Sequence, residues 1–169
     1  MPEDIYEGND NYRYAIGIKG KDPLIFIGIN PSTGTPENYD QTMKRARYFA
    51  LKFKFASWIM FNIYPKRITN PECLDQECKK KNHEKNMKTM ENLIPRESIV
   101  VAAWGNINVR RENISIYLKD IVKILNNKDV KWKHISSLTV KGHPKQITCL
   151  SNDEKLFDFD INNYLKRFM

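Results

Sequence analysis

The sequence predicts an α/β protein: a mainly parallel sheet of four strands, covered by helices on both faces, with one extra strand at its N-terminal edge. Three observations predict it. Short apolar runs recur along the chain, and each breaks off into Gly, Asn or Pro, as buried parallel strands do at their ends. Segments with apolar residues at helical spacing lie between those runs, and strands alternating with helices imply parallel crossovers. With 169 residues and 41% hydrophobic content, the chain suits one compact domain, residues 1–169, whose core needs no staples.

Alternation in Tyr12-Arg13-Tyr14-Ala15-Ile16-Gly17-Ile18 predicts an antiparallel edge strand, closed by the turn-like Gly20-Lys21-Asp22-Pro23. Leu24 to Gly28 is a short buried strand. It runs into Asn30-Pro31-Ser32-Thr33-Gly34, which continues neither a strand nor a helix, because Pro lacks the N–H and fixes φ. Asp40 is the N-cap candidate for a helix to about Lys54, in which Met43, Ala46, Ala50 and Phe53 share one face. Ser57 to Tyr64 is a second buried strand, stopped by Pro65 and followed by a polar loop through Pro71. A helix from about Leu74 to Leu93 comes next. Glu97 to Trp104 has the continuous apolar character of a central parallel strand and ends in Gly105. A helix around Asn113 to Leu125 and a fourth strand around Trp132 to Leu138 complete the alternation, ahead of the loop Thr139 to Lys145.

Composition narrows the classes of function. The first 20 residues carry acids and no apolar block, and no segment approaches the roughly 18 uninterrupted apolar residues of a membrane span. A soluble, cytoplasmic protein is expected. Cys73, Cys78 and Cys149 form an odd set without CxxC spacing, so reduced thiols are expected rather than a disulfide framework or a zinc site. A net charge of +8, with a pI near 9.3, favours a polyanionic partner. The partner expected is therefore DNA or a nucleotide, met by a monomer.

In parallel α/β sheets ligands bind beyond the carboxyl ends of the strands. Here those ends supply Asn30, Asn62, Tyr64, Arg67, Trp104 and His143. Ser32 and Thr33 lack the Gly-x-Ser-x-Gly elbow of a nucleophilic serine, no Gly-rich stretch ends in Gly-Lys-Ser/Thr, and no carboxylate–histidine cluster shows metal spacing. What remains is a set of amides, a histidine and aromatics. Such a set positions a water, reads a planar heterocycle by paired hydrogen bonds, and stabilises negative charge on a departing group. Singly, Asn30 reads equally as a turn former, Trp104 as core, His143 as a turn cap and Arg67 as the partner of a surface acid. Arriving at four successive strand ends, they point jointly to a site.

The order Gly28-Ile29-Asn30-Pro31-Ser32, Asn62-Ile63-Tyr64-Pro65-Lys66-Arg67, Val100-Val101-Ala102-Ala103-Trp104-Gly105 and Gly142-His143-Pro144 resembles two families. The closer resemblance covers nearly the whole chain. It is to an uncharacterised family of small bacterial, archaeal and phage proteins with Asn-Pro-Ser-Thr, Asp-x-Thr (Asp40-Gln41-Thr42), Trp-Gly and Lys-Gly-His-Pro motifs, a domain of unknown function. The more distant one is to the uracil-DNA glycosylase superfamily. That resemblance implies a three-layer αβα sandwich on a four-stranded parallel sheet and hydrolysis of an N-glycosidic bond in DNA. It implies Asn30 as the amide that positions the attacking water, Asn62 as the amide that reads the base edge, and His143 as the donor to the departing base oxygen. The chemistry suits the residues, because an oxocarbenium-like state needs a placed water and an anion-stabilising donor more than a strong nucleophile. Tyr64 or Trp104 would stack the base, Ser32 would join the base-binding set, and Lys66, Arg67, Lys141 and Lys145 would hold phosphates. After His143-Pro144 the chain departs from the superfamily, with Lys145-Gln146 in place of Ser and an apolar wedge. The cysteines do not reproduce the iron–sulfur ligand set of one branch, so no cofactor is expected. Two alternatives stand beside a glycosylase: a catalytically silent nucleotide- or nucleic-acid-binding protein, as in a phage–host conflict, and a nucleoside or nucleotide hydrolase.

Overall fold

Every residue of Leu24–Gly28 is buried, and successive side chains of a strand point to opposite faces. Leu24 and Phe26 therefore enter one core and Ile25 and Ile27 the other, which requires helices on both faces. The computed structural model describes residues 3–68, 80–108 and 112–169. In it β1 (Asp4–Gly8), β2 (Arg13–Ile18), β3 (Leu24–Gly28), β4 (Trp58–Asn62), β5 (Ile99–Ala102), β6 (Lys131–Ile135) and β7 (Leu156–Asp158) form one sheet, ordered β1-β2-β4-β3-β5-β6-β7. The four central strands are parallel, and β1, β2 and β7 flank them in antiparallel pairings.

The four parallel strands lie where the apolar runs predict them, but the sheet has seven strands, not four. The strand read from the Tyr12–Ile18 alternation is β2, and it is not at the edge, because β1 lies outside it. Covered in this way, Arg13 to Gly17 are all buried, the arginine included.

Helix α1 (Gln41–Lys52) is started by Asp40, whose side chain accepts from the Met43 N–H at 3.0 Å. It lays Met43, Ala46, Phe49 and Ala50 on one face of the sheet, against Leu24, Phe26, Trp58 and Met60. Helices α2 (Lys80–Leu93), α3 (Glu112–Asn126) and α4 (Ile161–Leu165) cover the other. There Ile114, Leu118, Ile121, Val122 and Leu125 of α3 meet Ile25, Ile27, Val100 and Ala102. At about 1.5–3 kcal/mol per fully buried aliphatic side chain, these two cores hold the strand ends in place. The stretch in which the second helix was expected to begin, with Cys73 and Cys78, lies outside the described residues; Cys149 is a free, exposed thiol. No helix among the described residues is long and apolar enough to cross a membrane.

Candidate functional site

Parallel pairing of β3 with β4 sets Gly28 opposite Asn62. Gly28 is glycine for space: a Cβ there would sit 2.9 Å from Asn62 Nδ2 and 2.9 Å from Met60 Cε. Asn62 is 2% exposed, and its Oδ1 accepts a long hydrogen bond, 3.5 Å, from Nη2 of the buried Arg13. Because a guanidinium only donates, this contact fixes the oxygen toward Arg13 and leaves Nδ2 on the Gly28 side. Asn30, two residues beyond β3, is tied by its opposite end. Its Nδ2 donates to the carbonyls of Ile68 at 2.5 Å and Pro31 at 3.1 Å, which leaves Oδ1 as a free acceptor.

Both amides line a cavity of about 80 Å³ together with Thr42 of α1, Gln146 and Thr148. At about 30 Å³ per water, it accommodates two to three waters or the polar edge of a small ring. Gln146 arrives there because Gly105 adopts φ +73°, a left-handed conformation that favours glycine. The Gly105 N–H donates to the Pro144 carbonyl at 2.8 Å, folding the loop 143–148 over the end of β5, and a Cβ at Gly105 would strike Gln146 Cγ at 2.8 Å. Among the described residues, no carboxylate lines this cavity.

His143 is 4% exposed and belongs to a relay. The Trp104 indole N–H donates to the Tyr164 hydroxyl at 3.0 Å, so the hydroxyl proton is available to His143 Nδ1 at 2.7 Å. Burial pushes Tyr164 up to about 12, against the pull of the Trp104 hydrogen bond and Arg167, which keeps it a donor. The His143 pKa is lowered by burial first and then by Arg167 and Lys141. Both effects favour the neutral ring at pH 7, and a hydrogen bond accepted from Tyr164 at Nδ1 favours the tautomer with its proton on Nε2.

The loop after β3 is clamped by two arginines. Arg67 donates to the carbonyls of Asn9 at 3.1 Å, Ser32 at 2.9 Å and Gly34 at 3.2 Å, and to the Tyr6 hydroxyl at 2.7 Å. Arg13, 2% exposed, reaches the same Gly34 carbonyl at 3.3 Å. Its Nη1 lies 3.8 Å from Asp40 Oδ2, the oxygen that also accepts from the Gly34 N–H at 3.1 Å. Ser32 and Arg67 line a second cavity, of about 580 Å³, shared with Tyr6, Thr33 and Thr35.

The site residues expected from the sequence thus divide. Asn30 and Asn62 meet in one cavity, Ser32 and Arg67 in the other, and His143 lines neither. Tyr64 and Trp104 are fully buried. Tyr64 meets Tyr117 edge-on at 5.5 Å, and Trp104 packs among Trp132, Phe159 and Tyr164, so neither ring offers a face to a ligand in this conformation. Lys66 Nζ lies 5.0 Å over the Tyr12 ring, Lys145 Nζ donates to Ser137 Oγ at 3.1 Å, and Lys141 is exposed. The residues that sequence reasoning missed are Arg13, Gln146, Thr148 and Tyr164; only Thr42 carried a signal, within Asp40-Gln41-Thr42.

Fold and site together define a mixed α/β protein with an amide-lined cleft at the carboxyl ends of its parallel strands. Residues 13–145 match the family described as Protein of unknown function (DUF1643), and the chain belongs to that family. No curated protein and no solved structure matches it.

Proposed function

We propose that the chain is a hydrolase of the DNA-glycosylase type, cleaving the N-glycosidic bond of uracil or a modified base by attack of water, as its resemblance to the uracil-DNA glycosylase superfamily implies. The observation that carries this reading is the pair of half-anchored amides on neighbouring strands. Asn30 keeps Oδ1 free to accept from a water. Asn62 keeps Nδ2 free to donate to a base carbonyl. In the reaction the C1′–N bond breaks with its electron pair on the base, the water oxygen bonds to C1′, and the proton that water releases neutralises the departing base. His143 lies outside the cavity of the two amides; as the resemblance implies, it is the proposed donor to the base oxygen as charge grows there, a role that requires the loop 143–148 to bring Nε2 to the cleft. Lys66, Arg67, Lys141 and Lys145 are the proposed phosphate contacts, on DNA in the cytoplasm.

One observation favours a second reading, a catalytically silent nucleotide- or nucleic-acid-binding protein: among the described residues, no carboxylate lines the cavity to take the proton of the water. The test is incubation with oligonucleotides carrying uracil, xanthine, hypoxanthine or hydroxymethylated bases, then alkali to reveal abasic sites. Cleavage of one substrate, abolished by Asn30→Ala with binding retained and slowed about 10²–10³-fold by His143→Ala, supports the hydrolase. Binding without cleavage of any substrate supports the silent reading.

A further inference from the structure

The cavity of about 580 Å³ beside the Asn30 loop has a donor set that the folded chain leaves unused. A guanidinium has five N–H groups. In Arg67, Nε serves Asn9, Nη1 serves Ser32 and Gly34, and Nη2 serves Tyr6, so one Nη2 N–H remains. The Tyr6 hydroxyl accepts from Arg67, and that of Thr35 accepts from the Asn38 N–H at 3.2 Å. Both are left with an O–H to donate. Ser32 and Thr33 are exposed at the same cavity, and their hydroxyls complete the set.

Charge points the same way. Nη1 atoms of Arg13 and Arg67 lie 3.3 and 3.2 Å from one carbonyl, that of Gly34. Asp40, 3.8 Å from Arg13, is the one carboxylate in ion-pair range of either among the described residues. Asp10 also lines the cavity, but it is exposed and lies outside ion-pair range of Arg67. Two guanidinium groups facing one carboxylate leave a positive charge that an anion would balance, and donors converging with such a charge recognise phosphate oxygens.

We propose that this second cavity is a phosphate-binding subsite, formed by Arg67, Tyr6, Ser32, Thr33 and Thr35, for the phosphate of a nucleotide whose base enters the cleft of Asn30 and Asn62. The two cavities share a wall: Asn30 of the first donates to the carbonyl of Ile68, which lines the second. That the phosphate belongs to a nucleotide rests on the function proposed above; phosphate binding itself does not.

Titration calorimetry on the full chain tests this with inorganic phosphate, deoxyuridine, deoxyuridine 5′-monophosphate and a uracil-containing trinucleotide. The monophosphate is expected to bind about tenfold or more tightly than the nucleoside, the return of two charge-assisted hydrogen bonds, and inorganic phosphate is expected to compete with it. Thr33→Ala with Thr35→Ala, which leaves the arginine clamp intact, should weaken the phosphate-bearing ligands and leave the nucleoside unchanged. A trinucleotide tighter than the monophosphate identifies the source as a DNA strand, and the reverse as a free nucleotide. Equal affinity of nucleoside and monophosphate, or phosphate affinity indifferent to the double variant, overturns the subsite. Phosphate binding without nucleoside binding keeps it and removes the glycosidic reading; binding of neither removes both.

Discussion

Arg13→Met removes a charge that the fold holds at a cost. Burial, opposed by Asp40 and reinforced by Arg67, lowers the Arg13 pKa from its ordinary value to about 10. At 1.36 kcal/mol per pH unit, that drop corresponds to about 3 kcal/mol against the folded state. The unfolded chain binds the proton more tightly, so the penalty is complete below about pH 10 and is relieved as the pH climbs above it. Methionine is of similar length and also removes the buried Nε that has no partner. The hydrogen bonds that disappear with the guanidinium are long: Gly34 O at 3.3 Å, Met43 Sδ at 3.5 Å and Asn62 Oδ1 at 3.5 Å, each worth about 0.5–1.5 kcal/mol at most. Gly34 O keeps Arg67, and Asp40 keeps the N–H groups of Gly34 and Met43. The variant should therefore unfold in urea at pH 7 within about 2 kcal/mol of the wild type, on either side of it, with an unchanged slope. Deoxyuridine affinity should nonetheless fall, because the Asn62 amide is no longer turned. A loss of more than about 3 kcal/mol at unchanged slope would refute the charge argument. Unaltered deoxyuridine affinity would refute the orienting role.

The chain's three histidines are all buried, and each has its pKa lowered, by burial first; Asp120 opposes the shift at His83, and hydrogen bonds with Ser136 and Asp158 oppose it at His134. In each case the unfolded chain takes the proton first, so their contribution to stability is complete above about pH 6.5 and declines as the pH falls below it. The urea midpoint should drop between pH 7 and 5, less so in His83→Gln, and a flat profile would contradict the burial argument. Tyr164→Phe leaves the buried Trp104 N–H without its acceptor, costing about 1–3 kcal/mol, and frees the His143 tautomer. Ring-nitrogen chemical shifts of His143 should report an Nε2–H form in the wild type and a mixture in the variant; one tautomer in both would remove Tyr164 as the positioning residue.

The four parallel strands and the α1 cap were readable because each rests on a local signal: an unbroken apolar run, or an Asp placed before a periodic segment. The two outermost strands were not. Asp4–Gly8 and Leu156–Asp158 are short and half exposed, as edge strands tend to be, and their composition is that of loops. The burial of Arg13 was hidden for the same reason, since only a strand laid outside β2 makes its position interior. At the cleft, Asn30 and Asn62 were legible because they close apolar strands. Gln146 was not, because a left-handed turn at Gly105 and a loop closure bring it there. Tyr164 comes from the C-terminal segment, whose α4 has too few residues, Ile161–Leu165, to show a period.

The N-terminal hairpin also sets a schedule for biosynthesis. β2 pairs with β4 rather than with the next strand in sequence, β3, and Arg13 waits for Asn62, 49 residues later. At about 5–20 residues per second, β2 emerges from the ribosome roughly 2–10 s before the strand that receives it. During that interval a buried-type arginine and the apolar side chains of β2 face water. The hairpin is thus placed only by a strand made well after it, ahead of the loop that brings Gln146 and Thr148 to the cleft, and nascent-chain proteolysis should find the hairpin open until β4 has cleared the exit tunnel.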